Sequence, residues 1–399
     1  MSTSTRLQLM LMMFLEFMIW GSWYVTMGTY LGVNLKATGV QIGFAYQTVS
    51  IGAIVAPFFI GLIADRFFPA QRILGVLHLL GAVVLYLLGQ QTTFAGFYPL
   101  ILIYMMLYMP TLALVNAVAF KQMSNTATEF PPIRVLGTIG WIIIGNAIAF
   151  MALEKTQSLD QTFLMGAIAS AILGVYSFFL PNTPPPKSKD EKVTVRDILG
   201  LEALSLFNNP SYLIFFIGSI LVCIPLAFYY SFANPFLNEV GMVGAAGKMS
   251  WGQISEIGFM LVLPIALLRY GIKKILLVGM LAWALRYICF AYGDAGANYW
   301  MLIMGIILHG VCYDFFFVTG QIYTDQQAGE RFKSSAQGLI TLATYGLGMY
   351  IGSIISGLVV EMFKTGNTHN WASVWMVPAG LAVVILLGFA FFFKQPEKN

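Results

Sequence analysis

Apolar residues run along this chain in long blocks separated by short breaks rich in glycine, proline or charge. Blocks such as Trp141 to Met151 and Leu381 to Phe393 are continuous and do not alternate with polar positions. A helix needs roughly 18 to 20 apolar residues to cross the hydrocarbon of a bilayer. A membrane β-barrel would instead alternate over about ten, so helices, which satisfy their own backbone groups in lipid, are the expected element. The pattern predicts helices near 7–30, 41–63, 73–90, 97–120, 132–153 and 162–180, then near 211–236, 249–268, 273–292, 299–323, 335–361 and 371–393. The expected fold class is an all-α integral membrane protein of about twelve transmembrane helices.

The segment from Pro181 to Lys192 is both proline-rich and charged. It reads as a linker between an N-terminal six-helix half (1–180) and a C-terminal six-helix half (211–399), with 181–210 as a cytoplasmic connection. Val195, Ile198, Leu199, Leu204 and Leu206, interspersed with Arg196, Asp197 and Glu202, suggest a short helix lying in the membrane interface. Two halves of this kind are expected where repeats rock about a central site.

Composition agrees with a chain whose solvent is lipid: 58% hydrophobic residues, 10% charged residues and a mean hydropathy of +0.79. A soluble domain carries about a quarter charged residues. The net charge of +4 implies no nucleic-acid partner, because the basic residues sit where topology wants them. With the N-terminus inside, fifteen Lys and Arg fall on the cytoplasmic side and only Lys36, Lys155, Lys248 and Lys364 outside. This bias predicts a multi-pass protein with both termini in the cytoplasm. The first apolar block follows Arg6, contains Glu16 and lacks a small-residue cleavage site, so a retained helix is expected. Cys223, Cys289 and Cys312 lie within apolar blocks and read as packed thiols.

Ionisable residues inside such blocks are the informative ones. Glu16, Arg134, Glu256 and Asp314 stand out, with Glu16 and Asp314 near the middle of their helices. Glu16, Trp20 and Trp23 share i, i+4, i+7 spacing, as do Arg134, Thr138 and Trp141; Gln253 and Glu256 are i, i+3, and His309, Tyr313 and Asp314 lie close along one helix. Carboxylates, a guanidinium, amide and hydroxyl groups and aromatic planes together suit a neutral, hydroxyl-rich ligand carrying a flat ring.

Structural readings stand beside these. Arg134 follows Pro131 and Pro132, which look like a first helical turn, and is placed to snorkel to the surface. Glu256 is equally placed to bridge Arg134 or Arg286. Trp20 fits packing or an interface belt, His309 a helix contact, and Arg286 either packing or function. Enzyme chemistry finds no support: there is no H-E-x-x-H, no G-x-S-x-G and no G-x-x-x-x-G-K-[ST]. No cofactor and no metal are expected, since three His and three Cys are scattered along the chain.

Gly61 to Arg66 resembles the loop signature of the major facilitator superfamily, and Arg269, Tyr270 and Gly271 precede Lys273 and Lys274 at the end of the eighth predicted helix. The chain more closely resembles the bacterial nucleoside:proton symporter family within it. The carrying segments are Trp20 to Trp23, Tyr108 to Thr111, Phe130 to Arg134 with Gly137 to Gly140, Gln253 to Glu256, Arg269 to Lys273, Phe290 to Asp294, Asp314 to Phe316 and Ser335 to Gly338. The resemblance implies a major facilitator fold whose first, fifth, eighth and tenth helices line a cavity, which is where Glu16, Arg134, Glu256 and Asp314 fall. It implies nucleoside binding at Arg134, Thr138, Gln253, Glu256 and Asp314, with the acidic residues gripping ribose or coupling protons. Departures are Ala227 and Tyr230 where the family carries Gln and Asn, His309 for a Tyr, Trp141 for another aromatic and Glu16 for a Gln.

The resulting expectation is a secondary transporter of a bacterial inner membrane that imports nucleosides with protons by alternating access around a midplane site. Its expected partners are the solute, protons and lipid, without an obligate protein partner. The expected substrate wall is Trp20, Arg134, Thr138, Trp141, Tyr230, Gln253, Glu256, His309 and Asp314, with Asp314, Glu256 and Glu16 coupling protons. A carrier of another sugar-bearing or aromatic solute is the alternative, and a membrane receptor a more distant one.

Overall fold

The computed structural model describes residues 1–59, 67–185 and 201–394. The Gly61 to Arg66 signature and the Val195, Ile198 and Leu199 part of the expected interfacial helix lie outside the described residues. The chain divides into two compact units, Met1–Ala37 with Thr48–Ile198, and Thr38–Gln47 with Leu199–Asn399.

In the first unit, α1 (Thr3–Trp23) continues after a short turn into α2 (Met27–Val33), so the two form one pass. Then come α3 (Gly39–Phe59, whose first residues belong to the second unit), α4 (Ala70–Gly89), α5 (Phe94–Lys121), α6 (Thr126–Phe150) and α7 (Asp160–Ser177). The second unit holds α8 (Pro210–Glu239), α9 (Ala245–Tyr292), α10 (Tyr299–Tyr313), α11 (Thr319–Thr341), α12 (Met349–Met362) and α13 (Trp371–Phe392). π-helical turns at Asp314–Val318 and Leu342–Gly348 join α10 to α11 and α11 to α12.

Among the described residues, ten helices are long and apolar enough to cross a membrane. One of them, α9, has 48 residues. At 1.5 Å per residue that is about 72 Å, more than twice a hydrocarbon core of about 30 Å. It is two passes broken at Gly271, whose φ of 75° is a conformation that glycine adopts without strain. With the 18-residue α7, the described passes number twelve, as the pattern predicts. Phe150, Leu261, Leu268 and Phe391 are exposed, which suits lipid rather than water.

Helix starts follow local chemistry. The Thr93 hydroxyl accepts from Gly96 N at 3.3 Å, and the side chains of Asn209 and Asn370 accept from Ser211 N and Ser373 N at 3.0 and 3.1 Å. Three details depart from the expected pattern. Helix α6 begins at Thr126, so Pro131 and Pro132 lie in its second turn; the Glu129 carboxylate, accepting from Ser124 N and Asn125 N at 2.9 and 3.1 Å, anchors the earlier start. Leu201–Asn208 is a 3-10 helix whose Ala203 packs with Ala328, Ala336 and Leu339, while Leu204 is exposed. Lys364–Thr365 (β1) pairs antiparallel with Thr368–His369 (β2), the turn being allowed by Gly366 at φ 62°.

Glycines set the closest helix approaches. A Cβ at Gly140 of α6 would run into the Phe14 carbonyl of α1, and one at Gly43 of α3 into the Ser353 carbonyl of α12. Backbone cannot give way as a flexible side chain can, and overpacking costs about 1 to 3 kcal/mol or more. Gly140→Val and Gly43→Val should therefore each lower the thermal unfolding midpoint of the purified protein, whereas Gly380→Ala, which meets open space, should not.

Candidate functional site

The residues expected to form the site fall into two groups, one in each unit. In the first unit, Arg134, Thr138 and Trp141 lie along one face of α6. Gly137 and Gly140 let that face settle on α1, and the Arg134 guanidinium lies 3.8 Å over the Phe17 ring. Arg134 and Thr138 are half-buried. Trp20 meets Tyr24, Tyr108 and Trp141 edge-on, with ring centroids 5.5, 5.7 and 6.0 Å apart. The outcome is an aromatic wall beside a cation.

Glu16 is turned into the core of this unit and is fully buried. Its Oε2 lies 2.8 Å from His78 Nε2 on α4, and its Oε1 lies 2.7 Å from the Thr111 hydroxyl of α5, whose single hydrogen is shared with the Tyr108 carbonyl. The Tyr108 hydroxyl donates to the Glu16 carbonyl at 2.8 Å. Trp23, predicted on the same face, is wholly buried against Tyr104 and Phe163, a packing role.

In the second unit, Gly252 of α9 and Gly310 of α10 bring these helices together. A Cβ on Gly310 would overlap Ser255 and the Glu256 amide, and one on Gly252 would press on the Ile306 carbonyl and His309 Cβ. The Ser255 hydroxyl, donating to the Ile307 carbonyl at 2.7 Å and accepting from Gly310 N at 3.0 Å, pins the pair. Glu256 Oε1 is thereby held 2.8 Å from His309 Nε2.

Arg286 completes this arrangement. It is fully buried in α9, its Nη1 lies 2.8 Å from His309 Nδ1, and its guanidinium stands 3.4 Å over the Tyr229 ring. A guanidinium only donates, so Nδ1 accepts, and His309 is the neutral tautomer with its hydrogen on Nε2, directed at the Glu256 carboxylate. Glu256 thus reaches Arg286 through His309. Tyr229 stacks on His309 at 5.1 Å and Tyr230 meets it edge-on at 6.4 Å.

Gln253 Oε1 and both carboxyl oxygens of Asp314 are buried without a hydrogen-bond partner among the described residues. Asp314 opens the π-helical turn, a device found at functional sites. The Tyr313 and Tyr345 hydroxyls face each other at 2.7 Å. Ala227 is buried, and a Cβ on Gly352 would lie 2.8 Å from its own Cβ, so that position packs against α12.

Sequence reasoning missed His78, Thr111 and Tyr229 and left Arg286 unassigned. The available signal was that His78 and Arg286 are themselves polar residues inside apolar blocks. No group of three His, Cys, Asp or Glu able to hold a metal occurs among the described residues.

Twelve apolar passes, with the buried Glu16 and the half-buried Glu256 each held by a histidine, fit a solute carrier of the major facilitator type. The crystal structure of the nucleoside transporter NupG superposes with a TM-score of 0.89 at 35% identity, covering 99% of this chain and 100% of that one. The chain belongs to the nucleoside H+ symporter family, whose model matches residues 1–398. Among relatives, it is 44% identical to YegT of Escherichia coli (strain K12) over 99% of this chain and 95% of that protein. It is 35% identical to the xanthosine permease of the same organism, over 99% and 98%.

Removing one member of a buried charged network costs about 3 to 5 kcal/mol, because the partner is left uncompensated. Arg286→Ala should therefore strongly lower the thermal midpoint. Adding Glu256→Gln should recover part of the loss, since the orphaned charge is then gone. A double variant no more stable than Arg286→Ala would show that the two are not electrostatically linked.

Proposed function

We propose that this chain imports nucleosides together with protons, by alternating access of its two halves around a midplane site. The full-length match to the nucleoside H+ symporter family carries this reading. Glu256, Gln253 Oε1 and Asp314 offer acceptors for sugar hydroxyls, Arg134 is a donor, and Trp20, Trp141 and Tyr230 offer faces for a planar base. His309 holds Glu256 in place. Asp314, Glu256 and Glu16 are the groups able to carry a proton. The lysine and arginine bias supports a bacterial inner membrane location with the linker and both termini cytoplasmic. The reading of the site is that of a carrier, not an enzyme.

A second reading, import of a modified nucleoside or a glycoside, is favoured by one observation. Ala227 packs against α12 where the resemblance implies a base-reading Gln.

Uptake of labelled adenosine, uridine and unrelated sugars into proteoliposomes separates the two. Nucleoside accumulation should follow an imposed proton gradient and cease with a protonophore; accumulation indifferent to the protonophore, or driven by sodium, overturns proton coupling. Charge-assisted hydrogen bonds contribute about 1.5 to 3 kcal/mol each, so Arg134→Ala and Glu256→Ala should each weaken nucleoside binding about ten- to hundredfold. Asp314→Asn should retain counterflow exchange but lose gradient-driven accumulation, because an amide cannot cycle a proton.

A further inference from the structure

We propose that Glu16 and His78 form a second proton-binding site, built wholly within the first unit, and that the pair holds its proton in the conformation described. Its use in transport rests on the proton-coupled reading above; the proton itself follows from hydrogen-bond bookkeeping.

The Ser170 hydroxyl of α7 lies 2.8 Å from the His78 carbonyl oxygen and 3.1 Å from His78 Nδ1. It has one hydrogen. The carbonyl can only accept, so that hydrogen occupies the shorter contact, and Ser170 meets Nδ1 as an acceptor. Nδ1 therefore carries a hydrogen. A neutral ring protonated there presents a lone pair from Nε2, which stands 2.8 Å from Glu16 Oε2. An ionised carboxylate is an acceptor too, and two lone pairs at that distance repel. A proton must lie between them, as carboxylic acid against imidazole or carboxylate against imidazolium. Both descriptions hold one proton more than an ionised Glu beside a neutral His.

The surroundings keep this proton from water. Glu16 and His78 are 0% and 2% exposed. Helix α5 contributes Thr111 and the phenols of Tyr104 and Tyr108, the latter ring 6.1 Å from the imidazole. Helix α6 contributes the guanidinium of Arg134, seated over Phe17, and α7 contributes Ser170. Proton loss then requires one of two movements. Either α1 and α4 part, or the Ser170 hydroxyl turns from the His78 carbonyl to Nδ1 so that the ring can carry its hydrogen on Nε2. Ser170 is thus the positioning residue that sets how many protons the pair retains.

The test uses the purified full chain in bilayers without substrate. Infrared difference spectra between acidic and alkaline pH read the carboxyl and imidazole bands, and nitrogen-15 spectra of labelled histidine read the ring protonation. The wild type should show a titrating band that vanishes in Glu16→Gln. The amide of that variant can donate to Nε2 and its oxygen accept from Thr111, so packing is kept while the proton is lost. Ser170→Ala removes the acceptor for Nδ1–H and should shift the His78 ring toward the tautomer with its hydrogen on Nε2, read in the nitrogen-15 spectrum. Identical difference spectra for wild type and Glu16→Gln overturn the proposal. So does a wild-type nitrogen-15 spectrum in which His78 is neutral with its hydrogen on Nε2, a measurement that decides the matter even where Glu16→Gln fails to fold. Titration without nucleoside uptake would leave this site standing and remove the substrate reading; uptake without titration would do the reverse.

Discussion

Hydrocarbon offers no hydrogen bonds, and that constraint organises every polar feature of this protein. A charge at mid-bilayer costs several kcal/mol unless a neighbour or a proton relieves it. Glu16, Arg286 and His309 find their partners on other helices, since i, i+3 and i, i+4 neighbours on their own helices are mostly apolar here. Glycine makes those meetings possible. Gly252 and Gly310 let α9 and α10 approach until Glu256 and His309 are 2.8 Å apart. Packing and site chemistry are therefore one problem.

The Glu16–His78 and Glu256–His309 contacts have the same length and opposite proton bookkeeping. His309 receives a hydrogen from Arg286 at Nδ1, which leaves its own hydrogen on Nε2 and makes Glu256 the acceptor. His78 gives its Nδ1 hydrogen to Ser170, which places a further proton toward Glu16. The difference lies in the third residue. A guanidinium cannot accept, so the first arrangement has a single solution. A hydroxyl can rotate, so the second has two. A locked pair suits orienting an acceptor for ligand hydroxyls, and a rotatable one suits taking up and releasing a proton.

Much of this architecture is legible in the sequence because lipid imposes length. The twelve passes, the break at Gly271 and the caps at Thr93, Asn209 and Asn370 follow from local signals. Joints were less legible. Proline pairs usually open helices, so the six residues of α6 upstream of Pro132 were hidden, their anchor being the Glu129 side chain folding back. Likewise α11 runs through 324–334, which is polar enough to read as a loop. Site residues were legible as outliers in apolar blocks, but not their orientation. The first helix is apolar on all sides, so spacing could not tell that Glu16 and Trp23 face the core while Trp20 is half-buried. Partners were harder still. His78 lies 62 residues from Glu16, and Ser170 lies 92 from His78.

The departures from the family pattern follow from the same constraint. A glutamine at position 16 could make both hydrogen bonds that Glu16 makes, donating to His78 and accepting from Thr111, so geometry gives no reason for an acid there. What the acid adds is a proton. At position 309 a phenol could accept from Arg286 and donate to Glu256 through one oxygen, whereas an imidazole does so through two nitrogens on opposite edges of a ring, spacing the partners apart and presenting a face for Tyr229 to stack upon. Ala227 closes against α12 where a longer side chain would not fit beside Gly352. The acidic and amide groups of α9 and the π-helical turn are retained, with Gln253 and Asp314 carrying acceptors that nothing among the described residues satisfies. Buried acceptors without donors are costly, and a ligand that brings hydroxyls would relieve them. On the proposed reading, the acceptors of Gln253 and Asp314 favour a sugar, and positions 227 and 230 are where the family resemblance implies that a base is read.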